Sequence, residues 1–181
     1  MAVATPVLND RQFGILIAYV IPGFIVVSGL SYHWPSVANW MGPGHQPTVG
    51  GFLYVTLASI ACGLVVSTVR WLVVDTLLHL TGVEQSQWRL SELRENLPAF
   101  EMFVVFTYRY YQFHANCFVA IPAWFALRFL NEQTIRVEWL AALVVIETLL
   151  LAGARDTLSK YYGRTNEILS DESRVSKIVL P

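Results

Sequence analysis

Residues 13–30 read FGILIAYVIPGFIVVSGL, an apolar run without a single charge. A helix that crosses a bilayer needs about 20 such residues, within roughly 17–25. The apolar core of a cleaved signal peptide is shorter, about 7–15 residues, and follows a positive flank. Here the flank holds Asp10 and Arg11, so the run reads as an uncleaved spanning helix. Working outward, three more apolar segments follow, at about residues 51–74, 112–130 and 137–154. The third reaches spanning length only with Tyr111 to His114 partly embedded. The expected fold is all-α: a polytopic membrane protein with four transmembrane helices, forming one domain over residues 1–181.

Composition points the same way. The chain of 181 residues is 55% hydrophobic and only 14% charged, with a mean hydropathy of +0.49. A soluble domain carries about 25% charged residues. The net charge of −1 provides no basic field of the kind nucleic-acid binders use. Cys62 and Cys117 both sit in apolar runs, where a cysteine behaves as a small buried hydrophobe.

Orientation follows from Lys and Arg, which cytoplasmic loops carry in excess. Residues 31–50 hold none, whereas Arg70, Arg89, Arg94 and Arg109 mark the next connection and Arg155, Lys160, Arg164, Arg174 and Lys177 the tail. The expected topology is an inner-membrane protein with both termini cytoplasmic. Trp34, Trp40, Trp71, Trp124 and Trp139 fall near span ends, as an aromatic belt requires.

The apolar pattern of the third segment begins at Ala99 and ends at Leu130, about 48 Å of helix, against a hydrocarbon core of about 30 Å. Helices two to four are therefore expected to extend into the cytoplasm, over 75–111 and 155–169. Helix two should continue to Leu80 before Gly82, and helix four should be interrupted or bent at Gly163.

Ser59, Gly63 and Ser67 recur four apart on helix two, one face that permits close backbone approach. The spacing suits packing on helix one and equally an oligomer interface. Pro22 and Gly23 interrupt helix one near its middle and form a candidate kink or hinge. Glu147 is the strongest functional hint, because an ionisable residue inside a span normally faces a partner or water. Candidate partners are Arg109, His114 and Asn116 on helix three and Asp75 and His79 on helix two. This intramembrane polar cluster admits three readings: a clamp between helices, a water-filled or proton-linked pathway, or a partial metal ligand set.

Arg109-Tyr-Tyr-Gln-Phe-His114 resembles the short catalytic motif of HEPN-type ribonucleases, which would make Arg109 and His114 catalytic. The alternative is an interface collar, with Tyr108, Tyr110 and Tyr111 at headgroup depth and Arg109 reaching a lipid phosphate. No glycine-rich phosphate loop, HExxH, nucleophile elbow or CxxC occurs, so neither cofactor nor metal is expected. The function expected is that of a non-enzymatic oligomeric pore, channel-like or membrane-effector subunit, or an anchor for a cytoplasmic protein partner. The alternatives are a membrane enzyme with an inner-surface site and an accessory subunit of a larger complex. The partners expected are the lipid bilayer and further copies of the chain, without nucleic acid.

Overall fold

The computed structural model describes residues 13–42, 48–83, 100, 104–132 and 136–178. Among them every regular element is helical, and four helices are long and apolar enough to cross a membrane. Helix α1 is Phe13–Leu30, with a π turn at Leu16–Val20. A short helix α2, Pro35–Met41, opens with Pro at its first position and closes at Gly42, whose φ of 74° needs a residue without Cβ strain. Helix α3 is Val49–Leu80 and carries a π turn at Trp71–Asp75. Helix α4 runs from a π turn at Val104–Tyr108 into Arg109–Glu132. Helix α5 is Val137–Ile178.

The ends of α3 are set locally. Thr48 caps the start, its hydroxyl accepting from the Gly51 amide at 3.0 Å. The stop is a Schellman motif: Gly82 at φ 90° donates to the His79 carbonyl, and Val83 donates to that of Leu78. Leu78 and Val83 then share one buried cluster.

Helix α1 lies between α3 and α4. It meets α3 backbone to backbone. A Cβ on Gly23 would stand 1.8 Å from the Ser59 carbonyl oxygen, and one on Gly63 would stand 2.1 Å from that of Tyr19. Such approach permits only hydrogen at these positions and brings Cα–H groups onto carbonyls. The small-residue face at Ser59 and Gly63 is thus filled by α1 of the same chain. Pro22 and Gly23 are both buried, and Gly23 lies directly against the α3 backbone.

Pro22 has a second consequence. It has no N–H, so it cannot bond the carbonyl of Ala18 four residues back. That carbonyl accepts from Asn116 Nδ2 on α4 at 2.6 Å. Asn116 and Ala18 are both fully buried. The proline in one helix and the asparagine in another are therefore two halves of one interhelical contact.

Beside this contact along α4, Val74 and Leu78 of α3, Tyr111 and Ala115 of α4, and Ala154 and Leu158 of α5 form the main buried cluster. Helix α5 packs on α4 and on the π turn that precedes it. Elsewhere α5 stays uncovered: Val144, Val145 and Leu149 are 64%, 59% and 67% exposed. The outward face of α3 is similar, with Leu57 63% exposed.

Two expectations change. Helix α5 is not interrupted at Gly163 but continues to Ile178, and there is open space where a Gly163 Cβ would sit. Tyr111, expected in a headgroup collar, is fully buried. The amphipathic stretch expected between Trp88 and Leu97 lies outside the described residues.

Asn116→Leu should destabilise the protein by about 1–3 kcal/mol, because it strands a buried carbonyl. In a Pro22→Ala background the restored N–H can take that carbonyl, so the cost of Asn116→Leu should shrink. Thermal unfolding of the four proteins in mild detergent checks this; equal costs in both backgrounds would remove the link.

Candidate functional site

Two turns of α4 are rich in polar side chains: Arg109, Tyr111, Gln112, His114 and Asn116. At about 100° per residue, Arg109, Gln112 and Asn116 share one face, and Tyr111 and His114 stand on others. The neighbouring helices take these faces separately.

The first face meets α1. Arg109 Nη1 donates to Gln112 Oε1 at 2.8 Å and reaches the Tyr19 hydroxyl at 3.4 Å. Gln112 Nε2 donates to the same hydroxyl at 3.0 Å. The Arg109 guanidinium also stands 5.8 Å from the Tyr19 ring centre. Gly14 makes room, for a Cβ there would meet the Arg109 side chain at 3.1 Å. Arg109 thus turns toward α1.

Tyr111 meets α3. Its hydroxyl donates to Asp75 Oδ1. Asp75 also pairs with Arg70, Nη1 to Oδ1 at 3.5 Å, and the Arg70 guanidinium lies 5.2 Å from the Tyr111 ring centre. Arg70 is only 4% exposed. In an α-helix, residues five apart diverge by about 140°; a π turn bonds i to i+5 and brings them together. The π turn Trp71–Asp75 is therefore what seats the carboxylate beneath the guanidinium.

His114 meets α5. Its Nδ1 lies 2.8 Å from the Tyr110 carbonyl, and its ring fills the space a Cβ on Gly153 would need, at 2.9 Å. Arg109 and His114 thus face α1 and α5 respectively, whereas joint action on one phosphodiester would need them to converge. His79 pairs with Tyr162, Nε2 to hydroxyl at 3.4 Å, with the rings stacked. Among the described residues no group of three His, Cys, Asp or Glu side chains stands together.

Glu147 joins none of these partners. Both of its carboxylate oxygens are buried, and neither has a hydrogen-bond partner among the described residues. The residues expected to converge on Glu147 are thus distributed: Arg109 and Asn116 to α1, Asp75 to Tyr111 and Arg70, His79 to Tyr162, and His114 to Gly153.

Sequence reasoning passed over Arg70, which it assigned to a connection. The signal was present: an arginine followed by Trp-Leu-Val-Val-Asp, a charge pair set inside an apolar run. It also passed over Arg128, whose guanidinium stands 5.6, 5.5 and 5.6 Å from the rings of Tyr32, Trp124 and Trp139. That contact joins the turn after α1 to α4 and α5 at the Leu30 end of the bundle.

No family model matches the chain, and neither a curated protein nor a solved structure matches it.

Asp75→Leu should cost about 3–5 kcal/mol, because it leaves Arg70 buried without a countercharge. The double variant Arg70→Met with Asp75→Leu should recover most of that loss. Thermal melts of both proteins decide it; a double variant as unstable as the single one would deny the charge pair its role.

Proposed function

We propose that the protein is a non-enzymatic multi-pass membrane subunit that works as an oligomer and lines a channel-like pathway for protons or cations with α5. The observation that carries this reading is Glu147. Its oxygens are buried without a hydrogen bond, on a helix whose spanning stretch is packed against α4 and otherwise open. A clamp would engage the carboxylate with donors. A carboxylate at this depth without donors is a functional site by default, and it faces a pathway, a mobile proton or a passing cation. The exposed apolar face of α5 at Val144, Val145 and Leu149 is where further copies would pack to complete the path. The proposed setting is the inner (plasma) membrane, with both termini cytoplasmic, because residues 31–50 contain neither Lys nor Arg.

One observation favours a second reading, in which the protein anchors a cytoplasmic partner. Helix α5 has 42 residues, about 63 Å at 1.5 Å per residue, or about twice the thickness of the hydrocarbon core. Its far half extends beyond the spanning length as a helical arm, packed as far as Thr165.

The test is ion flux in liposomes with thermal stability measured on the same preparations. Glu147→Gln and Glu147→Leu should both fold, and Glu147→Leu should hold or gain up to about 1–3 kcal/mol, since it relieves an unpaired buried group. Both should lose most of the flux. Unchanged flux in Glu147→Gln would take the pathway's main residue away, and a native chain that conducts nothing would leave the anchor reading.

A further inference from the structure

A groove of about 380 Å³ opens on the flank of the bundle between α1 and α3, with Gln112 of α4 at its floor. Arg70, Ser67 and Trp71 line it from α3, and Tyr19 lines it from α1. Arg70 is the informative member. It is 4% exposed, yet its Nε and Nη1 are buried without a hydrogen-bond acceptor. Asp75 offsets its charge from 3.5 Å and leaves these donors unbonded. A buried guanidinium with unused donors suits an oxyanion.

The other groups in the groove agree. The Tyr19 hydroxyl accepts from both Gln112 and Arg109, so its own hydrogen remains to be donated. The Ser67 hydroxyl takes part in no hydrogen bond among the described residues. Arg109 makes no ion pair among them either. Arg70, Asp75 and Arg109 together leave one net positive charge beside the groove, and no carboxylate lines it.

Depth and surroundings select the kind of anion. Arg70 lies 21 residues beyond Val49, since 70 − 49 = 21, or about 31 Å along the helix. That is about the thickness of the hydrocarbon core, so the guanidinium falls where headgroup phosphates begin when α3 spans a bilayer from Val49. Leu64 and Trp71 border the groove and are 56% and 63% exposed, an apolar wall for an acyl chain and an indole at interfacial height.

We infer that this groove binds one anionic phospholipid, its phosphate received by Arg70, Tyr19 and Ser67 and its acyl chain laid along Leu64 and Trp71. The inference rests on the membrane-spanning reading of α3 and is independent of conduction and of oligomer formation.

The experiment uses the full chain in phosphatidylcholine nanodiscs, with and without phosphatidylglycerol, and reads thermal unfolding and the lipid retained in native mass spectra. Phosphatidylglycerol should raise the melting temperature and leave one bound lipid per chain. Tyr19→Phe removes only the hydroxyl, and Ser67→Leu fills the groove; each should lose at least half of that rise. Arg155→Gln, on the far side of the bundle, should keep all of it. Arg70→Gln should lose the rise, and the two milder variants carry the test where it does not fold. The inference is overturned by the absence of a rise, by a full rise in both Tyr19→Phe and Ser67→Leu, or by an equal loss in Arg155→Gln, which would mean diffuse attraction. An equal rise from inorganic phosphate in phosphatidylcholine alone would also overturn it, because the occupant would then be a free anion. Flux is not read here, so failure of the pathway and failure of the lipid site are separate results.

Discussion

The hydrogen bond from Asn116 to the carbonyl of Ala18 is the contact on which the arrangement depends. In a surrounding without water, a backbone carbonyl left open by proline must find a donor inside the protein. Pro22 opens that carbonyl, and Asn116 closes it from the neighbouring helix. This fixes α4 against α1 in both register and rotation. One turn further along α1, Gly23 fits against the backbone of α3. The three helices thus lock through two adjacent contacts, one polar and one steric. Helix α5 is then added to the remaining side of α4, where the His114 ring occupies the space left by Gly153.

Arg70 and Glu147 are treated in opposite ways. Arg70 has a countercharge in Asp75 and an aromatic face in Tyr111. A buried pair of this kind gains little stability over apolar packing, and its removal by halves is costly. Glu147 has neither countercharge nor hydrogen bond. A group kept at such cost without local compensation points to use rather than to folding, which is why the functional proposal rests on it and not on the better connected arginine.

Much of the fold was legible in the sequence. Apolar run lengths located four helices, Gly82 marked the end of α3, and the four-residue spacing of Ser59 and Gly63 marked a close approach. Pairing within the polar set was not legible. Periodicity assigns a residue to a face of its own helix, but it does not say which helix covers that face. Arg109, Tyr111, His114 and Asn116 look like one cluster when written in a row, and they belong to three different neighbours once the helices pack. The π turns are the second reason. They form where the helix accommodates an extra residue, and without one at Trp71–Asp75 the spacing of Arg70 and Asp75 reads as a mismatch. Gly163 failed as a signal because a glycine in an exposed helix lowers stability by about 1 kcal/mol without ending the helix.

The central claim is that water reaches the buried Glu147 carboxylate while its neighbours on α5 face lipid. Cysteine accessibility tests it directly. In a reconstituted chain with Cys62 and Cys117 replaced by alanine, Glu147→Cys should react with a membrane-impermeant thiol reagent, and Val145→Cys should stay inert. A cysteine at position 147 as unreactive as the one at 145 would contradict the account.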